Sequence, residues 1–155
     1  MVVTFRTRMP VAETMRFEHV YEDVLQLDVE AKASILDAGY GAWLFVDGTL
    51  AGETYGISPA LLDEDIDDVP ARDPTWIYCY STTILPEFRG RGLAKVLVAY
   101  SIGQAREAGF TTIVGHATSP AMVAVRSFFG ASFGAIHHRW YGTERVAHFY
   151  RLALA

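Results

Sequence analysis

The chain has one cysteine, Cys79, among 155 residues. A single thiol closes no internal disulfide and builds no cysteine-based metal cluster, so a reducing, cytoplasmic setting is the expectation. Long apolar runs are missing too. None reaches membrane-spanning length, and the N-terminus lacks the charged-then-apolar pattern of a signal peptide. Nor is there an excess of positive charge: 13 Lys and Arg stand against 18 Asp and Glu, a net charge of −5. That balance argues against broad affinity for nucleic acid or an anionic membrane surface. Repeats and low-complexity tracts are likewise absent.

What is present suits one well-filled domain over residues 1–155. Hydrophobic residues make up 51% of the chain and aromatics 13%, enough for a substantial core. Residues 2–8 alternate apolar and polar, as a strand does, until Pro10. Met15, Phe17, Val20, Val24 and Leu27 give roughly helical spacing over residues 12–27, and residues 29–36 form a second helix ending before Gly39. Asp47-Gly48 between two apolar runs marks a tight hairpin. Residues 59–74, with Pro59, Pro70 and Pro74 around the acidic run 63–68, form a loop that is either a solvated linker or a substrate lid. Residues 111–116 are the next strand. Ser119-Pro120 then reads as an N-cap with proline at the first helical position. Residues 135–141 and 145–154 form a closing antiparallel hairpin around Gly142.

The stretch from Tyr78 to Lys95 changes character once. Up to Leu85 it is β-branched, aromatic and small, as in a strand. From Leu93 the apolar residues Leu93, Val96, Leu97 and Tyr100 share one helix face. Between them lies Arg89-Gly-Arg-Gly92. A helix start has unpartnered N–H groups and partial positive charge; glycines admit a bulky anion, and Arg89, Arg91 and Lys95 add full charges. The spacing is too short for a Walker loop, no hydroxyl follows Lys95, and no third glycine stands where a dinucleotide fingerprint needs one.

Arg89-x-x-Gly92-x-Ala94, after a strand ending Ile84-x-Pro86, resembles the acyl-CoA loop of the GNAT superfamily of N-acetyltransferases. The element order β-α-α-β-β-β-α-β-α-β-β extends the likeness over nearly the whole chain. It implies an α/β fold with a mixed, mostly antiparallel sheet of about seven strands, a parallel β4–β5 pair that splays, and about four helices. It further implies acetyl-CoA as acyl donor, held by Thr82, Thr83, Ile84 and Leu85 along the strand end and by Arg89, Gly90, Arg91, Gly92, Leu93, Ala94 and Lys95 in the loop. An amide among residues 83–85 is expected to hold the acyl oxygen.

The second family motif, Asn-x-x-Ala-x-x-x-Tyr, falls on Ala121, Ala124 and Phe128. Phenylalanine cannot protonate a departing thiolate, so Ala121 and Phe128 are read as cofactor contacts only. Tyr78 stands where some members carry a catalytic glutamate. Tyr80 shares its strand face, Glu53 is the nearest carboxylate by topology, and His116 lies at the end of the next strand. These four are the catalytic candidates, each with a structural alternative: buried aromatics for the tyrosines, an exposed glutamate, a hydrogen-bonded structural histidine. His137 and His138 point to opposite strand faces, so no metal is expected. The acceptor is a small-molecule or peptide amine, cationic if the acidic run 63–68 receives it. The rival function is a non-catalytic acyl-CoA-binding or regulatory module, favoured by the losses at Ala121 and Phe128. Trp140, Tyr141, Phe149 and Tyr150 are either core or a homodimer surface.

Overall fold

Asp47 and Gly48 both take positive φ, 49° and 82°, the pair a two-residue turn requires. They close a hairpin between β2 (Tyr40–Val46) and β3 (Thr49–Ile57), with Val46 opposite Thr49. Residues 42–46 are buried on both sides, since helices cover both faces of this part of the sheet. The computed structural model of the protein describes residues 1–20, 26–70 and 72–154. Beside the hairpin lie β1 (Val3–Arg6), β4 (Trp76–Ile84), β5 (Thr112–Ala117), β6 (Ser132–His137) and β7 (Ala147–Ala153). The seven-stranded sheet runs β1-β2-β3-β4-β5-β7-β6. Every neighbouring pair is antiparallel except β4 and β5.

The helices divide between the two faces. On one face, α1 (Val11–Thr14), the 3-10 turn after it and α2 (Val29–Ala38) cover the sheet, Phe17 of the turn packing on Trp43 and Phe45 and Ile35 of α2 on Tyr55 and Ile57. On the other, α3 (Leu93–Glu107) and α4 (Pro120–Phe128) lay Leu97, Val98, Ile102 and Val125 against Leu44, Ile77, Ile113 and Leu152. The caps follow from the sequence. Asp28 Oδ1 accepts from Ala31 N at 2.8 Å to start α2, and Ser119 Oγ accepts from Met122 N at 3.2 Å to start α4. Gly39 ends α2 because a Cβ there would lie 2.1 Å from the carbonyl oxygen of Gly56. Among the described residues no helix is long and apolar enough to cross a membrane.

Two expected elements differ. Among the described residues of the helix expected over 12–27 there is α1, followed by a 3-10 turn at Met15–His19. Lys32 Nζ takes the Thr14 carbonyl at 3.0 Å, and the chain tightens there. Val24 lies outside the described residues. The last hairpin is displaced towards the N-terminus: β6 begins at Ser132, and pairing stops at His137 opposite Ala147. Trp140 leaves the sheet in a 3-10 turn, Trp140–Gly142, where it stacks on His116 with ring centroids 4.4 Å apart.

Candidate active site

Strands β4 and β5 pair only from Trp76 opposite Thr112 to Cys79 opposite Gly115. Beyond that point they part, and β4 continues to Ile84 with β3 alone. The parting coincides with a one-residue bulge: Gly56 opposes Cys79 and Tyr55 opposes Ser81, so Tyr80 has no partner on β3. Leu85 N donates to Ala51 O at 2.8 Å. Alternation along the strand therefore turns the Thr83 amide towards β3 as well, and the Thr82 and Ile84 amides towards the opened side. Of the three amides expected to hold an acyl oxygen, only that of Ile84 faces the gap. The Leu85 amide is committed to β3 and its side chain is 1% exposed, so Leu85 serves the core.

The glycine loop lies at the far end of β4. Gly90 and Gly92 have φ of 77° and 74°, and a Cβ at either would meet nothing within 4 Å. No side chain caps α3, so its first amides stand bare at an exposed glycine turn, which fits a pyrophosphate. Arg89, Arg91 and Lys95 are exposed around it, while Leu93 is buried and Ala94 half-buried. Arg89 Nε donates to the Ile84 carbonyl at 3.1 Å and Arg91 Nη2 to the Glu87 carbonyl at 3.5 Å, anchoring both arginines to the strand-to-helix connection. Ala121 and Phe128 lie on the exposed face of α4. Phe128 is 64% exposed, with Lys95 Nζ 4.2 Å above its ring. It forms a flank of the loop and offers no proton.

On the other side of the splay is a cavity of about 480 Å³. Tyr78, Tyr80, Ser81 and Thr83 supply one wall, His116 to Ser119 another, and Trp140 and Tyr141 a third; Asp63, Glu64, Asp65 and Ile66 close the rim. The acidic loop is therefore a packed wall. Ile66 and Val69 sit on Trp76, Tyr78 and Val114. Arg72 clasps the loop from within, donating to Asp65 Oδ1 at 3.1 Å, to the Asp63 carbonyl at 3.0 Å and to the Leu62 carbonyl.

That wall delivers Asp68, in the left-handed region at φ 66°, to two histidines. Asp68 Oδ2 accepts from His116 Nε2 at 2.8 Å and from His137 Nε2 at 2.6 Å. Two N–H donors hold the carboxyl in its charged form; burial raises its pKa, but these bonds outweigh that and lower it. With Nε2 donating, neutral His116 presents a lone pair at Nδ1, and Tyr78 Oη donates to it at 2.7 Å. Burial pulls His116 below its ordinary value; Asp68 opposes the shift without cancelling it. Burial likewise pushes the Tyr78 phenol far up, so the proton rests on Tyr78 while the site is idle. The result is a continuous hydrogen-bonded chain, Tyr78–His116–Asp68–His137, from the cavity wall to a histidine whose side chain is 34% exposed. Asp68, His116 and His137 bring three potential metal-ligand atoms within 4.8 Å of one another. Their 2.6 and 2.8 Å contacts are hydrogen-bond lengths, shorter than the roughly 3.3 Å between ligands around a tetrahedral ion.

Of the four catalytic candidates, the structure unites Tyr78, Tyr80 and His116. Tyr80 is 36% exposed and sits edge-on to Tyr78 at 5.1 Å. Glu53 is elsewhere. It is 0% exposed, bound by Lys32 Nζ at 2.8 Å and by Trp43 Nε1 at 2.9 Å, and it is not in the cavity wall. The expected surface glutamate is thus a core ion pair. Burial pushes its carboxyl up to about 7, against Lys32 and Trp43, which hold it down. Trp140 and Tyr141, read from sequence as core or dimer surface, belong to the cavity. Sequence reasoning also missed Asp68, His137 and Arg126. Only the length of the 59–74 loop hinted at the first of them.

The sequence matches the model of the acetyltransferase (GNAT) family over residues 11–135. Comparison with curated proteins finds no match. Among solved structures, the ribosomal-protein-S18-alanine N-acetyltransferase of Escherichia coli superposes with a TM-score of 0.74 at 13% identity, covering 99% of this chain and 95% of its own. An N-acetyltransferase of Staphylococcus aureus Mu50 gives 0.74 at 14% identity with both chains fully covered. The protein yncA of Salmonella typhimurium, solved with its cofactor acetyl-CoA, gives 0.72 at 16% identity over 99% and 94%. These likenesses speak for the fold; the family match carries the membership. With residues 11–135 matched, the chain belongs to the GNAT family of acetyltransferases.

Proposed function

We propose that the protein moves an acetyl group from acetyl-CoA to a primary amine by direct attack. The observation that carries this reading is the parting of β4 and β5 beyond Cys79 and Gly115, which joins the bare start of α3 to the walled cavity. Gly90, Gly92 and the first amides of α3 hold the pyrophosphate, with Arg89, Arg91 and Lys95 around it. Thr82 and Ile84 offer backbone to the pantetheine arm, and Phe128 flanks it. When bound, acetyl-CoA supplies an acyl thioester whose carbonyl carbon is open to an amine. The Ile84 amide is the donor placed for the oxygen that gains charge.

The chain's own residues manage the proton. Tyr78 Oη takes a proton from an amine in the cavity as it passes its own to His116 Nδ1, and Asp68 steadies the imidazolium that results. The proton then returns from His116 through Tyr78 to the departing CoA thiolate, which leaves as thiol, while His137 holds the Asp68 carboxylate in place. Tyr80 and Trp140 shape the cavity and exclude water around Tyr78. Asp63, Glu64 and Asp65 at the rim draw in a positively charged acceptor.

Phe128 favours a second reading, a module that binds acyl-CoA without transferring from it, because no hydroxyl stands at that position. The two part in one experiment: calorimetric titration with acetyl-CoA, beside thiol release over a panel of primary amines. Binding with amine-dependent thiol release supports transfer. Binding without release from any amine supports the module, and no binding overturns both.

A further inference from the structure

Arg126 lies in the last turn of α4 yet is only 3% exposed. Its side chain turns inward to the cavity wall, beside Cys79, Thr82, Ser119 and Met122. Nη2 donates to Thr82 Oγ1 at 3.0 Å and to Cys79 Sγ at 3.5 Å, and the guanidinium lies over the Tyr150 ring at 4.6 Å. Nε has no acceptor. Among the described residues no carboxylate pairs with it.

A buried guanidinium without a counter-ion is unusual, because desolvating a charge is costly unless it is paired. The surrounding acids are weak ones, the Tyr40 and Tyr150 phenols and the Cys79 thiol. Burial raises the thiol, but Arg126 and the hydroxyls of Thr54, Thr82 and Tyr150 outweigh it, leaving the thiol below its ordinary value. Sulfur is a soft and poorly directed acceptor for a planar fork that suits two oxygens. Of the other charged groups on the cavity wall, Asp63, Glu64 and Asp65 are exposed at the rim, and Glu18 and Arg145 line it as well.

We propose that Arg126 receives a carboxylate carried into the cavity by one of the two reactants. The sources are the far end of a dicarboxylic acyl chain on the donor, or the carboxylate of an amine acceptor such as an amino acid. The second source suits the acidic rim, with the acceptor's ammonium entering past Asp63, Glu64 and Asp65 and its carboxylate meeting Arg126. This rests on the acyl-transfer reading above and narrows it to a carboxylate-bearing reactant.

Calorimetric titration of the full chain tests both sources without relying on turnover. One arm compares succinyl-CoA with acetyl-CoA; the other compares amino acids with their amides in the absence of any cofactor. The expected result is a preference of at least tenfold for the carboxylate-bearing member in one arm. That preference collapses to within twofold in Arg126→Gln and is reduced in Arg126→Lys, which keeps the charge but loses the fork. Affinities within twofold in both arms for the unaltered protein overturn the proposal, whatever the variants do. So does a preference that survives Arg126→Gln. If neither acyl-CoA binds, the acyl-transfer reading falls on its own, and the amino-acid arm still decides the role of Arg126.

Discussion

The two ends of the splay are built on different plans. The loop from Arg89 to Lys95 uses neighbouring residues, mainly through their backbone, and stands open to solvent. The cavity uses side chains brought together from afar: Asp68 meets His116 across 48 positions and His137 across 69. A phosphate cradle asks for bare amides and room, which two glycines before a helix provide. A proton relay asks for donors and acceptors within about 3 Å in a fixed order, which only tertiary packing provides. One end is a local motif, the other a product of the whole fold.

The sharpest way to break that contrast is at the relay. Tyr78→Phe keeps the ring and removes the hydroxyl, and kcat should fall roughly a hundredfold to a thousandfold with acetyl-CoA affinity unchanged. A parallel loss of affinity would mean the two ends are not separable. At the loop, Gly92→Val places a β-branched residue at φ 74° and crowds the amides. Acetyl-CoA binding, read by calorimetry, should weaken on the order of a hundredfold while the fold persists.

Smaller effects distinguish positioning from chemistry. Asp68→Asn should lower kcat by about tenfold, since it leaves Tyr78 and His116 in place but removes the charge that steadies His116. It should also move the acid limb of the pH–rate profile to lower pH, because Asp68 raises the His116 pKa. A merely structural Asp68 would leave that limb where it is. In the unaltered protein His116 must be neutral to accept at Nδ1, and burial sets its folded value below its ordinary value of about 6.5. Activity should therefore fall only on acidification below that point. The same shift governs stability. As pH drops below about 6.5 the unfolded chain binds its proton first, so the thermal midpoint should decline over that interval. The smallest change is expected for Arg91→Ala at the exposed loop: a few-fold loss of acetyl-CoA affinity that shrinks further as salt is raised.

The same division explains what could be read in advance. The Asp47-Gly48 hairpin, the Ser119-Pro120 helix start and the glycine loop are encoded in adjacent letters and stand where the sequence suggested. Glu53 was unreadable because its fate depends on Lys32, and nothing near it in sequence announces an ion pair in the core. His116 could be nominated as a strand-end titratable group; Asp68 could not, since one acidic residue in an acidic run is distinguished only by where the Arg72 clasp and the packing of Ile66 and Val69 set it. The closing hairpin was misplaced for a related reason. Trp140 suits a strand, but stacking on His116 draws it out of the sheet.

The unpaired Tyr80 works as a counting device. In an unbroken strand Tyr78, Tyr80, Thr82 and Ile84 would all look the same way, and Thr82 would face the tyrosines. With one residue left over, the parity resets: Ser81 and Thr83, opposite Tyr55 and Glu53, join the tyrosine face, while Thr82 and Ile84, opposite Thr54 and Gly52, join Cys79. Two chemistries, a hydrogen-bonded tyrosine on one face and a buried guanidinium on the other, are thereby addressed by the two faces of a single strand. Deleting Tyr80 would straighten β4 and leave both addresses in place, whereas pairing Tyr80 in a regular ladder would exchange them for every residue from Ser81 on.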